Sequence, residues 1–425
     1  MNPSASKNPL HIKGRIPALD GLRGLAILMV LFHHLWPYAW QHPAYKILTY
    51  GKQVGWLGVD LFFVLSGFLI TGILLDTQGQ PGYLKNFLAR RSLRVFPLYF
   101  FFLFVSLSVM PGVLQWLGDS PEAARAYESR ALVPWLVTYT TNVLPIIRDP
   151  NLSSWFAPQQ TATEIIDYLA VTWSLCVEEQ FYIFWPCLLL FSGRWRRHLP
   201  LVAIASALAC RAFAVLALEN WQQVTYLTTF CRLDGLALGA GIAMYVRSDS
   251  FNPIHWRRFV RIGIWCVIPS VLLWVAFGAG RSDPLFAVAG YSLATFGAAS
   301  LLGAAIDGRS KSPLQWVLEN RCLRWFGTYS YGLYLYHMLV LTVLAAWRPA
   351  NVLPNGQIAD PDTFAPFGGS LLVDAPVRLL LAAGVSCAVA WLSYHWLELP
   401  FLRWKNFFEP RAAKPAPARL GKGVL

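Results

Sequence analysis

The sequence predicts an all-α, polytopic membrane bundle of about ten spans with both termini in the cytoplasm. Three observations carry that prediction. Of 425 residues, 56% are hydrophobic and only 13% are charged, whereas a soluble domain of this size carries about a quarter charged residues. The apolar residues collect into stretches of roughly 20, the length that crosses a hydrocarbon core as a helix. The excess of 35 Lys and Arg over 22 Asp and Glu falls in short clusters between those stretches. That pattern fits the cationic bias of cytoplasmic loops better than a nucleic-acid surface, so the expected partner is the bilayer and no nucleic acid.

Span 1, residues 17–40, reads PALDGLRGLAILMVLFHHLWPYAW. Lys7, Lys13 and Arg15 precede it and place the N-terminus inside, and no cleavable leader is evident. Span 2 (56–75) returns to an inside loop with Lys85, Arg90, Arg91 and Arg94, and span 3 (98–117) leads outward. The apolar piece 131–147 is interrupted by Pro134, Thr138, Thr140, Thr141, Asn142 and Pro145. It is short for a crossing, and a crossing there would put Arg194, Arg196 and Arg197 outside, so it is read as external or re-entrant. Spans 4 to 10 then cover 173–191, 199–218, 224–246, 259–278, 285–306, 325–347 and 371–397, and every loop assigned to the cytoplasm is basic. Loop 348–374, rich in Pro, Gly and Asp, is expected to be external and irregular. Residues 1–405 form the membrane domain, and the Pro- and Ala-rich 406–425 a disordered cytoplasmic tail. The seven cysteines lie in or beside apolar segments with no paired spacing. They read as packing residues, with no disulfide framework and no metal site.

Ionisable residues inside apolar spans are the functional candidates. Arg23 and His34 lie eleven residues apart, close to three helical turns, so they share one face of span 1 about 16 Å apart. His33 points about 100° away and reads as packing. Counting rise per residue from each span's start puts His34, Asp60, Glu178, Glu179, Arg232 and Asp234 at similar depth in the outer half, where they are expected to form one outward-opening polar pocket. A histidine level with carboxylates suits general-base or proton-relay chemistry. Arg91 and Arg94, at i and i+3 near the inner surface, suit clamping of phosphate oxygens, with Arg23 a step deeper. Plainer readings stand beside these. Basic residues flanking spans set topology, and Asp60 or Glu179 reads equally as a structural partner of Arg23 or Arg232. His337, in YSYGLYLYH, serves either the pocket or a helix-helix hydrogen bond, and GLALGAG (235–241) reads as a close helix contact.

The blocks LDGLRGLAILMVLFHHL, GVDLFFVLSGFLIT (58–71), RRSLR before FPLYF, TWSLCVEEQFYIFWP (172–186), RLDGLALG (232–239), YSYGLYLYH (329–337) and HWLELPF (395–401) together resemble the acyltransferase family 3 integral membrane proteins. The signature of that family is Arg or Lys, ten residues, then His, here Arg23 and His34. The resemblance runs from near residue 16 to 405. It implies O-acylation, commonly O-acetylation, of a carbohydrate such as a surface polysaccharide, lipopolysaccharide or glycolipid, in the bacterial cytoplasmic membrane. Acyl-CoA, commonly acetyl-CoA, is the implied cytoplasmic co-substrate, with no bound cofactor and no metal. His34 is then the base or the transient acyl-carrying nucleophile, Asp60 or Glu179 its orienting carboxylate, and Arg23, Arg91 and Arg94 the donor-binding set. Ser66, Trp173, Ser174, Glu178, Tyr182, Arg232, Asp234 and His337 are the pocket candidates. Some relatives carry a C-terminal hydrolase-like domain, which this chain is expected to lack. Other members acylate macrolides, and a proton-coupled transporter or flippase is the alternative outside enzyme chemistry.

Overall fold

The computed structural model describes residues 16–36, 46–118, 121–148, 166–278, 280, 282–307, 312–347 and 371–408. No strand occurs among the described residues. Among the described residues, ten helical stretches are long and apolar enough to cross a membrane: α1 Pro17–Leu35, α2 Tyr50–Thr77, α3 Tyr83–Leu117, α4 Asp167–Phe191, α5 Gly193–Ala217, α6 Trp221–Tyr245, α7 Pro253–Ala276, α8 Phe286–Ile306, α9 Arg321–Trp347 and α10 Pro376–Phe408. The expected all-α bundle of about ten spans is therefore what the chain forms. The basic residues at 7, 13, 15, 309 and 311, most of the loop 348–374 and the tail from 409 lie outside the described residues, while the last helical turn of α10 runs past 405 to Phe408.

Two helices begin earlier than their apolar stretches suggest. Span 3 was expected from 98, but α3 starts at Tyr83, so Arg90, Arg91 and Arg94 sit on a helix and not in a loop. The reason lies in LKNFLARRSLR, which is built of strong helix formers with an apolar stripe that a search for uninterrupted hydrophobicity passes over. Span 4 was expected from 173, but α4 starts at Asp167. The segment 131–147 breaks into the short helices Val133–Val137 and Leu144–Ile147 with 3-10 turns between, none long enough to cross. It is pinned by stacking of Tyr139 on Tyr99, ring centroids 4.3 Å apart, and by a 2.8 Å bond from Gln180 to the Tyr139 carbonyl.

Burial sorts the helices into centre and rim. Helices α1, α2 and α8 are buried along most of their length, whereas α5, α7 and α10 leave apolar side chains such as Leu216, Trp265 and Leu380 outward, as lipid-facing helices do. Two central contacts are backbone to backbone. Gly24 on α1 and Gly327 on α9 face each other so closely that a Cβ on either meets main-chain atoms of the other helix, and Gly67 on α2 and Gly239 on α6 do the same. Small residues permit this approach, and in a bilayer, where lipid is as apolar as Leu, close van der Waals packing is what drives helices together. Gly239 belongs to GLALGAG, so that stretch is a close helix contact, as expected.

Candidate active site

Five helices bring polar groups to one cavity of about 840 Å³, measured with its open mouth. Helix α1 supplies Arg23, α2 Ser66, α3 Arg91 and Arg94, and α9 Tyr331 and Tyr334. From α4 come Ser174, Glu178 and Tyr182, spaced i, i+4, i+8 and therefore on one face, with Glu179 beside them. The Tyr182 hydroxyl donates to Glu178 Oε2 at 2.6 Å, so the Ser66 hydroxyl, 2.7 Å away, donates to Tyr182. The Arg91 guanidinium lies 5.2 Å from the Tyr182 ring centroid, and its charge acts on both Glu178 and Glu179. Arg23 is steadied by Asp20 at 3.3 Å one turn earlier. The cavity thus presents three arginines and two carboxylates to whatever fills it.

His34 lies beyond the far end of this cavity. The lining reaches Val59, whose neighbour Gly58 abuts Ala26, Met29 and Val30 of α1, and His34 follows one turn after Val30. There His337 Nε2 of α9 meets His34 Nδ1 at 3.2 Å. His34 Nδ1 also lies 3.1 Å from the Val30 carbonyl, and His337 Nδ1 lies 3.0 Å from the Leu333 carbonyl. Carbonyl oxygens only accept, so in the neutral pair both Nδ1 atoms carry protons, His337 Nε2 accepts from His34, and the lone pair of His34 falls on Nε2. The opposite assignment needs a cationic His337 and sets the His34 lone pair against the Val30 oxygen. Tyr334 connects the two regions: it lines the cavity, bonds Ser174 at 2.6 Å, and its ring lies 5.9 Å from that of His337. His33 is buried and bonds the Lys52 carbonyl at 2.8 Å, a packing role.

The expected outer pocket of histidine and carboxylates does not form as one site. Asp60 accepts from Arg232 through Oδ1, and its Oδ2 has no hydrogen-bond partner among the described residues, so it does not hold the His34 imidazole. Asp234 pairs with Arg211 at 2.9 Å, and Ser292 bonds both. The Arg232 guanidinium packs 4.6 Å from the Tyr291 ring centroid, and Trp173, expected in the pocket, meets Phe63 edge-on and Tyr226 at a tilt. Asp60, Arg211, Arg232 and Asp234 are all fully buried, as charges between helices are when they pair. Glu178 and Glu179 also leave the level of His34 and join the arginines. The helix start explains this, since Glu179 lies twelve residues from Asp167, about 18 Å along the axis rather than the 9 Å counted from 173.

Four participants were not singled out from the sequence. Arg211 stands alone in LACRAFAVLA, and the test of an ionisable residue in an apolar run identifies it as readily as Asp60. Tyr331 and Tyr334 belong to YSYGLYLYH, where tyrosines at i and i+3 share a face with His337. Lys405 has no such signal, because only the packing of the 404–408 turn on α3 brings it near the arginines.

Residues 16–395 match a family described as "Acyltransferase domain". The chain is 26% identical over 403 residues to peptidoglycan O-acetyltransferase OatA of Listeria monocytogenes, covering 93% of this chain and 57% of that protein. It is 28% identical over 415 residues to the putative peptidoglycan O-acetyltransferase YrhL of Bacillus subtilis, covering 92% and 55%. It is 27% identical over 369 residues to nodulation protein 10 of Rhizobium leguminosarum bv. viciae, covering 82% and 91%. The chain thus spans little more than half the length of the two peptidoglycan acetyltransferases. No solved structure matches.

Proposed function

Because the chain belongs to the acyltransferase 3 family of integral membrane proteins, we propose that it moves an acyl group, acetyl in the first instance, from cytoplasmic acyl-CoA to a hydroxyl of a carbohydrate acceptor. Relatives named as peptidoglycan O-acetyltransferases make a cell-surface glycan the first acceptor to test, with the protein in the bacterial cytoplasmic membrane. One observation carries the reading. A single helix, α1, gives Arg23 to the arginine-lined cavity and, three turns on, His34, whose Nδ1 lies 3.1 Å from the Val30 carbonyl and 3.2 Å from His337 Nε2.

In this reading the phosphates of the donor engage Arg91 and Arg94, whose planar guanidinium groups match phosphate oxygens. The pantetheine arm runs along the cavity past Arg23, Ser66 and Tyr182 toward Val59 and Tyr334. At His34 the acceptor hydroxyl gives its proton to Nε2 as its oxygen attacks the thioester carbonyl; the carbon-sulfur bond breaks and the thiolate leaves, to be protonated by the imidazolium. A two-step route, in which Nε2 first carries the acyl group, uses the same nitrogen. His337 holds that nitrogen's orientation, the part a carboxylate plays in hydrolase triads.

The test compares membranes carrying wild type and His34→Ala. Wild type releases CoA thiol in proportion to acceptor added, and its surface glycans gain acyl mass; the variant does neither at equal abundance in the membrane. Acyl transfer by His34→Ala sinks the assignment of His34. A transporter would move acceptor without consuming thioester.

A further inference from the structure

A second cavity, of about 390 Å³ with its mouth, adjoins the first and shares Arg91 with it. Its walls come from the start of α3, through Tyr83, Asn86, Phe87 and Arg90, and from Phe408 at the end of α10. No carboxylate is among the described residues that line it. Three short helical segments at the end of α10, Tyr394–Glu398, Leu399–Arg403 and Trp404–Phe408, pack on α3, and they carry Lys405 into electrostatic reach of Arg94, Arg91, Arg90 and Arg23.

Five cations are thereby held together at the junction of two cavities. Around the first cavity Asp20, Glu178 and Glu179 offset the arginines, with Glu398 acting on Arg94. Among the described residues that line the second cavity none is acidic. Like charges held close repel, and a bound polyanion relieves that repulsion. The uncharged part of the lining narrows the class of polyanion: three aromatic side chains, Tyr83, Phe87 and Phe408, and two amides, Gln80 and Asn86, suit the face and edge of a nucleobase, because aromatic rings stack on any base and an amide reads its polar edge.

We propose that this second cavity is the subsite for the phosphorylated nucleoside end of the acyl donor, with Lys405, Arg90 and Phe408 as its recognition residues and Arg91 at the junction with the acyl-bearing arm. The proposal rests on the acyl-CoA reading above and extends it, since it divides the donor between two cavities. A donor with a phosphomonoester and a diphosphate carries about four negative charges, which five cations answer.

Truncated donors test it on the intact protein in detergent or nanodiscs. Acetyl-CoA has the nucleoside, and S-acetyl-N-acetylcysteamine does not. Arg90→Ala, Lys405→Ala and Phe408→Ala are expected to raise the KM for acetyl-CoA at least tenfold more than the KM for the truncated thioester. Adenosine 3′,5′-bisphosphate should compete with acetyl-CoA on wild type and leave the KM of the truncated thioester unmoved, a measurement that needs no variant to fold. Equal changes for both donors, no change for either, or absence of competition by the bisphosphate overturns the subsite. So does loss of competition when phosphatidylglycerol replaces phosphatidylcholine in the nanodisc, because the cations would then be serving a lipid headgroup. Failure of the acyl-transfer reading looks different: wild type would transfer from neither thioester.

Discussion

His34 and His337 meet across α1 and α9 with 3.2 Å between Nδ1 and Nε2, and the carbonyls of Val30 and Leu333 decide which nitrogen carries each proton. A backbone oxygen one turn back on each helix does for this pair what a buried carboxylate does in a triad. It sets a tautomer without adding a charge to the bilayer core, where an unpaired charge is costly.

The first prediction follows from that pair. His337→Leu removes the acceptor for His34 Nδ1–H and should lower kcat by about 10- to 100-fold, the usual effect of removing a residue that orients a functional imidazole. His337→Gln, which can present an amide oxygen near the position of Nε2, should recover part of the loss. Purified variants assayed for acceptor-dependent thiol release across a pH series give the comparison. Equal activity of the Leu variant and wild type would remove His337 from the mechanism.

The Asp60 and Arg232 pair makes a contrasting prediction about stability. Removing one partner of a buried ion pair leaves the other charge uncompensated and costs about 3 to 5 kcal/mol. Asp60→Asn should therefore lower the melting temperature in detergent, and Asp60→Leu combined with Arg232→Met should restore much of it. Folded Asp60→Asn protein should keep acyl transfer within a few-fold. A variant that melts like wild type and transfers nothing would return Asp60 to catalysis.

In the proposed acyl-CoA reading, Arg91 and Arg94 bind the donor and do not react. Arg91→Ala and Arg94→Ala should each raise the KM for acyl-CoA with a smaller change in kcat, the pattern of lost uniform binding. Each lost charge-assisted contact is worth about 1.5 to 3 kcal/mol, or roughly ten- to a hundredfold in affinity. Steady-state kinetics at saturating acceptor separates the two constants, and a fall in kcat alone would contradict the placement.

Gly24, Gly327, Gly67 and Gly239 sit where a Cβ meets the backbone of the partner helix. Overpacking a tight contact costs about 1 to 3 kcal/mol, occasionally more, and main-chain atoms cannot rotate away as a side chain does. Gly239→Ala and Gly24→Ala should reduce monodisperse protein on size-exclusion chromatography and lower its melting temperature. Ala at Gly112, where a Cβ meets nothing within 4 Å, should change neither.

Much of this protein was determined by its sequence alone, for reasons that are local. Length of apolar run sets which segments are long enough to cross, and prolines and polar residues in 131–147 deny that segment a crossing helix. Arg23 and His34 share a face because eleven residues make nearly three turns, whatever surrounds them. Ordered motif blocks sufficed to suggest the family. Depth was legible only where the helix began where the apolar run began. It failed for Glu178 and Glu179, because α4 begins six residues before 173, at Asp167, and it failed for the start of α3, because that helix begins in basic sequence ahead of its apolar run.

Pairing was decided by the tertiary structure. Four buried charges on three helices, Asp60, Arg232, Asp234 and Arg211, find one another, so Asp60 is spent on Arg232 and unavailable to His34. His337 reaches His34 across 303 positions of chain. Composition says that a charge or an imidazole in a membrane needs a partner, but which partner depends on how closely the helices approach. Here Gly24 against Gly327 and Gly67 against Gly239 set that approach.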